Sequence, residues 1–218
     1  MKNIFVDCGT HLCEGLDYFL KLYNMDETWE IHTFEPNPNL HASISHYIRN
    51  NFPEWKITFH PFAVGAMNGP EKVLLGMQPD GPSGRLTGGG TSIVNPVDFK
   101  DGETEGYKNV VVPATPLVEI IKSLTLKACE EDRSLASTEN GNLTIDRNKC
   151  NIVLKLDIEG AEYAVLADLI ETGIGFWLSH LHVEFHHRRF KSEKELRESE
   201  IQLVGKLFQM GVVCHPHW

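Results

Sequence analysis

The sequence predicts a doubly wound α/β fold, a mostly parallel sheet with helices on both faces. Three observations predict it. Residues Met1 to Gly15 read as strand, glycine turn and helix, with Ile4-Phe5-Val6 as the strand and Asp7 ending it. The pattern continues to Phe62 as βαβαβ, the half-unit of a doubly wound sheet. A second strand–helix–strand series then occupies Asn151 to Phe185. At 218 residues, a single Rossmann-like domain spanning 1–218 is expected.

The elements follow in order. Leu16, Phe19, Leu20 and Tyr23 recur at helical spacing. Glu30 to Glu35 is the second strand, broken by Pro36 and Pro38, and Asn39 is placed to cap a helix carrying Leu40, Ile44, Tyr47 and Ile48. Ile57 to Phe62 is the third strand, followed by Ala63-Val64-Gly65. Lys72 to Met77 and Val110 to Pro113 are short strands around a Gly-, Pro- and Ser-rich loop, residues 78–90, which reads as either a lid or a mobile connector. Thr115 as N-cap and Pro116 at the first helical position open a helix with Leu117, Ile120, Ile121 and Leu124 buried. Residues 128–149 are polar and acidic and read as a surface insertion or disordered excursion.

Asn151 to Leu156 is a buried strand ended by Asp157. A helix with Val165, Leu166, Leu169 and Ile170 follows, closed by Gly173. Leu178 to Phe185 is the next strand, and Ser192 with Glu195 forms a capping box for the last helix. Val212-Val213-Cys214 is a final strand, and only His215, Pro216, His217 and Trp218 come after it.

A net charge of −10 argues against a nucleic-acid backbone or an anionic membrane as partner. The basic run His186 to Arg189, with Lys191, reads as a solvated loop. Cysteines 8, 13, 129, 150 and 214 form no CxxC pair, which points to reduced thiols in a cytoplasmic setting. No signal peptide precedes Ile4 and no apolar run reaches membrane-spanning length. The first strand starts abruptly, as in a minimal enzyme or a domain cut from a longer protein.

Four acids end or follow strands: Asp7, Glu35, Asp157 and Glu184. In a parallel sheet those ends converge on one crevice. A carboxylate at Asp7 suits a cationic or hydroxyl-bearing ligand better than a pyrophosphate. Glu35, twenty residues after Gly15, suits a ribose diol. Each acid alone has a plainer reading as a turn or cap residue, Asp157 most of all.

The runs Phe5-Val6-Asp7-Cys8-Gly9-Thr10-His11, Phe34-Glu35-Pro36-Asn37-Pro38 and Leu154-Lys155-Leu156-Asp157-Ile158-Glu159-Gly160-Ala161-Glu162 resemble the FkbM family of class I S-adenosylmethionine-dependent methyltransferases, usually O-methyltransferases. The resemblance spans about Ile4 to His186 and is weak between Met77 and Asn151. One departure is Cys13, where the family usually has glycine. The resemblance implies that Asp7, Gly9 and Thr10 line the amino-acid portion of the cofactor and that Glu35 holds the ribose. It puts Phe62, Ala63 and Val64 near the adenine, Asp157 between cofactor and acceptor, and Ser92 near the pocket. His11 and Pro36 complete this cofactor-binding set. Class I methyltransferases end in an antiparallel strand pair, so here the last strand is expected to be missing, displaced or supplied by a partner.

An alcohol acceptor needs a base or a metal. His180, His182, Glu184 and His186 alternate onto one strand face. His186 is the expected general base, oriented by Asp157 or Glu184. His180 and His182 read as buried, and His187 as structural or solvated. The rival account is Mg²⁺ or a similar ion held by Asp157, Glu159, Glu184 and His186; the metal-free version is favoured. The acceptor expected is a hydroxyl on a sugar or glycan, with protein and lipid-like acceptors open. Two other readings are an NAD-type oxidoreductase, for which the turn offers only Gly9 and Gly15 of the full G-x-G-x-x-G fingerprint, and a non-catalytic cofactor-binding scaffold.

Overall fold

A computed structural model describes residues 1–80, 84–139 and 142–216. Its centre is a six-stranded sheet built from β1 (Lys2–Cys8), β2 (Glu30–Phe34), β3 (Lys56–His60), β9 (Cys150–Leu156), β10 (His180–Val183) and β11 (Val213–Pro216). The order is β11-β10-β9-β1-β2-β3, with every neighbouring pair parallel. The order reverses beside β1, so a crevice opens between β1 and β9 at the carboxyl ends of the strands.

Residue alternation along β1 sorts the two cores. Phe5 faces α1 (Leu16–Leu22) and α2 (His41–Asn51), packing with Leu16, Phe19, Leu40 and Ile44. Ile4, Val6 and Cys8 face α3 (Leu117–Glu131), α4 (Glu162–Glu171) and α5 (Glu193–Gln209). The prediction of helices on both faces therefore holds. Among the described residues, no helix is long and apolar enough to cross a membrane.

Between β3 and α3 lies a smaller sheet of β4 (Ala63–Gly65), β5 (Lys72–Met77) and β6 (Lys108–Pro116), ordered β4-β6-β5. Here the sequence reading needs correction. The third strand stops at His60, because Pro61 has no N–H to continue the ladder. Residues 63–65 pair with β6 instead. Thr115 lies inside β6, and α3 starts at Leu117 with Pro116 before it and no side-chain cap.

Residues 128–149 are not an excursion. They finish α3 and form a hairpin, β7 (Ala136–Glu139) with β8 (Asn142–Ile145), pinned by buried Ala128, Leu135 and Ile145. Three sparse apolar anchors in a polar segment are too few to show as a period. Asn39 does not cap α2, and Ser192 makes no side-chain cap on α5. Gly173, at φ +73°, does close α4, its N–H reaching the Ile170 carbonyl. The predicted strand at Val212-Val213-Cys214 is β11, which extends the main sheet parallel to β10 with Pro216 opposite Val183, and among the described residues this edge of the sheet carries no antiparallel strand, as expected. His217 and Trp218 lie outside the described residues.

Candidate active site

A cavity of about 200 Å³ opens at the carboxyl ends of β1, β2 and β9. Gly9 and His11 form one wall, Glu35 and Pro36 a second, Phe62, Ala63 and Val64 a third, and Asp157, Ile158 and Glu159 the fourth. Of the residues singled out in the sequence, these walls gather Gly9, His11, Glu35, Pro36, Phe62, Ala63, Val64, Asp157 and Glu159. Asp7, Thr10, Ser92, Glu184 and His186 are not on them.

Each wall has a local cause. Gly9 sits at φ +80°, and a Cβ there would lie 1.8 Å from the Asp157 carbonyl oxygen. Glycine is required because two loops touch, before any ligand is considered. The Gly9 and Thr10 N–H groups both reach the Phe34 carbonyl, which ties the first turn to the second strand. Cys13 is buried at φ +64°, the left-handed backbone that glycine adopts without cost. The path expected for a glycine is thus kept by a cysteine.

Glu35 is 6% exposed and accepts the N–H groups of His11 (3.0 Å) and Asn37 (2.9 Å). Burial raises its pKa against these bonds. Two backbone donors fix the carboxylate and leave lone pairs for hydroxyl groups. A further side is closed by the 84–91 segment, where Gly88, Gly89 and Thr91 line the cavity. His11 Nε2 contacts the Thr87 carbonyl at 2.8 Å, and Asn37 Nδ2 donates to the Leu86 carbonyl at 2.8 Å. This part of the predicted lid is strapped to the rim; residues 81–83 lie outside the described residues.

Ser92 serves the loop after β9: its hydroxyl donates to the Glu159 carbonyl at 2.7 Å. Thr10 is buried, its hydroxyl on the Cys13 sulfur. Asp7 is 3% exposed and faces the Lys155 ammonium at 3.4 Å.

Beside the cavity lies an ionic cluster. His186 Nδ1 bonds Glu162 Oε1 at 3.0 Å; its Nε2 faces Glu159 at 3.4 Å, Asp157 at 3.7 Å and Glu184 at 3.9 Å. Burial works against the imidazolium, but the Glu162 hydrogen bond and the Glu162, Glu159 and Asp157 charges outweigh it, lifting the pKa to about 9. This direction keeps the proton on His186 and speaks against its expected role as base. Burial pushes Glu159 up to about 7, with His186 and Arg189 pulling the other way. Glu159 is at φ +57° and pairs with Arg189, which also holds Glu103 and the Tyr107 hydroxyl.

Asp157, Glu162 and His186 present donor atoms within 4.8 Å of one another, so the set able to gather round a cation has Glu162 in place of Glu159 and half-exposed Glu184. Glu162 is fully buried, and besides His186 it accepts the Ile158 and Gly160 N–H groups. Sequence reasoning missed Glu162 and Arg189 as site residues, because their partners are set by how the loop folds back. It also missed Lys155, whose signal was visible: a lysine inside an otherwise apolar strand.

A parallel doubly wound sheet with an acid-lined crevice at its switch point defines the class of Rossmann-like enzymes. Within it, the chain belongs to the FkbM methyltransferase family: the model of the methyltransferase FkbM domain matches residues 7–203 of 218. No curated protein and no solved structure was found to match. Membership in a methyltransferase family replaces the NAD-type oxidoreductase reading.

Proposed function

We propose that the chain is an S-adenosylmethionine-dependent O-methyltransferase acting on a hydroxyl of a small molecule, most readily a sugar or glycan. The observation that carries this reading is Glu35, a buried carboxylate fixed by two backbone donors on the wall of a cleft that Asp157 and Glu159 face from the other side. The donor set fits the cofactor. Glu35 would hold the ribose hydroxyls, Phe62, Ala63 and Val64 offer an apolar wall to the adenine, and Gly9, His11 and Pro36 complete the cradle. When bound, the cofactor supplies an electrophilic methyl group on a sulfonium. The Glu14 and Glu35 carboxylates at the cavity favour a cationic occupant.

Glu159 takes the place of His186 as acceptor of the hydroxyl proton. It lines the cavity, and the His186 imidazolium and Arg189 hold its carboxylate in position. A metal-free route is favoured because Lys155, His186 and Arg189 already balance most of the charge of Asp7, Asp157, Glu159 and Glu162. Loss of activity with EDTA and its return with Mg²⁺ would overturn that choice. Five unpaired cysteines agree with a cytoplasmic setting. The acidic chain favours neither nucleic acid nor membrane as partner.

Calorimetric titration with S-adenosylhomocysteine and with NAD tests the reading. S-adenosylhomocysteine should bind, and Glu35→Gln should weaken it about 10- to 100-fold, the loss of one or two charge-assisted hydrogen bonds. Binding of NAD alone would reject the proposal.

A further inference from the structure

We propose that Lys155 is a positioning residue: its ammonium clamps the turn after β1 to the tip of β9 and sets the Asp157 carboxylate at the mouth of the cleft. The inference rests on the cofactor-cleft reading above.

The register of the sheet produces the contact. Asp7 pairs with Lys155 across β1 and β9, and Lys155 pairs with His182 across β9 and β10. Lys155 thus lies in a row of polar side chains on the α1 face, otherwise apolar around Phe5 and Val153. It is 4% exposed. Its Nζ donates to the Gly9 carbonyl at 2.6 Å and lies 3.4 Å from both Asp7 Oδ1 and Asp157 Oδ2. Burial pulls the ammonium pKa down, but the Asp7 and Asp157 charges raise it further, so the group stays charged.

A structural ion pair would need only one acid. Here one cation holds a buried acid and two groups that line the cleft from opposite strands, Gly9 and Asp157. With Oδ2 on Lys155, Asp157 turns Oδ1 toward His186. The seam has no slack, since a Cβ on Gly9 would strike the Asp157 carbonyl. Lys155 does not line the cleft, so it acts through these neighbours.

Two variants separate a clamp from mere neutralisation of Asp7. Lys155→Met removes the charge at similar length, and Asp7→Asn combined with Lys155→Met removes both buried charges. Melting temperature, affinity for S-adenosylhomocysteine and ligand-free amide exchange of Gly9 and Asp157 are read for each. The single variant should melt lower and bind at least tenfold more weakly. The double variant should regain most of the melting temperature while keeping the tenfold loss and faster exchange. Native affinity and native exchange in the double variant would overturn the clamp. If the native chain bound no S-adenosylhomocysteine, the cofactor reading would fall. The exchange of the double variant would then decide alone: faster exchange supports the clamp and unchanged exchange rejects it.

Discussion

Three residues separate His182 from His186, yet the two imidazoles are driven to opposite sides of neutrality. His182 is 2% exposed on β10, stacked on His215 at 4.3 Å and bonded to the Tyr23 hydroxyl at 2.6 Å. Burial, then the charges of His215 and His180, push its pKa down to about 4. His186, just beyond the strand, is nearly as buried but ringed by carboxylates, and it rises to about 9. Burial alone would make both neutral; neighbours decide which one does so. The histidines within the sheet belong to packing, and the one past its edge belongs to the site.

The largest way to break this contrast is Glu162→Gln. It removes the fully buried partner of His186 and weakens the hold on the Ile158 and Gly160 N–H groups. Stability should fall by about 3 kcal/mol in denaturant titration, the usual cost of breaking a buried pair. The His186 resonance should also titrate well below 9; a midpoint left near 9 would mean that Asp157 and Glu159 suffice.

Varying pH acts on both histidines without mutation. For His186 the folded pKa lies above the unfolded value, so its contribution is complete below about 6.5 and is lost as pH rises through 9, on the order of 2–3 kcal/mol. The raised Glu159 acts in the same direction at lower pH. For His182 the sign reverses: the unfolded chain takes up the proton first, so stability falls as pH drops from about 6.5 toward 4. Over the acid range Glu159 opposes His182, while His60, pushed down to about 4 by burial and the His32 charge, adds to it, so melting temperature should decline on both sides of pH 6–7 (roughly, from these midpoints). A flat alkaline limb would refute the assignment to His186.

His182→Phe sharpens the comparison more gently. A ring of similar shape keeps the stack, while Tyr23 loses its partner, so about 1 kcal/mol should be lost. The acid limb should shrink and the alkaline limb stay. The smallest effect is expected far from either histidine. Cys13→Gly trades relief at φ +64° against a lost buried thiol, and stability should move by less than about 1 kcal/mol. A large loss of methyl transfer in that variant would show that the thiol itself matters.

How much of this was legible in the sequence follows from the range of each interaction. Helix faces and buried strands were readable because apolar period is local: Phe19 and Ile44 are as buried as their spacing predicted. The cleft wall at Glu35 was readable because strand-end acids converge in any parallel sheet. The roles of Glu162, Arg189 and Lys155 were not, since each depends on a partner 24 or more residues away, such as Glu162 for His186 and Asp7 for Lys155. The strand boundary at Pro61 could have been placed from the missing N–H alone. The pairing of β4 with β6 could not, because three residues carry no register signal.

The sheet's two outer strands have a consequence for how copies of the chain meet. A parallel ladder ends in bare backbone donors and acceptors that can recruit another strand. On one flank, β3 begins with exposed Lys56, whose charge resists close stacking with a like copy. On the other, β11 ends at exposed Pro216, which withholds an N–H where the next strand would bind. At high concentration the chain is thus guarded against edge-to-edge aggregation by charge on one flank and a missing donor on the other.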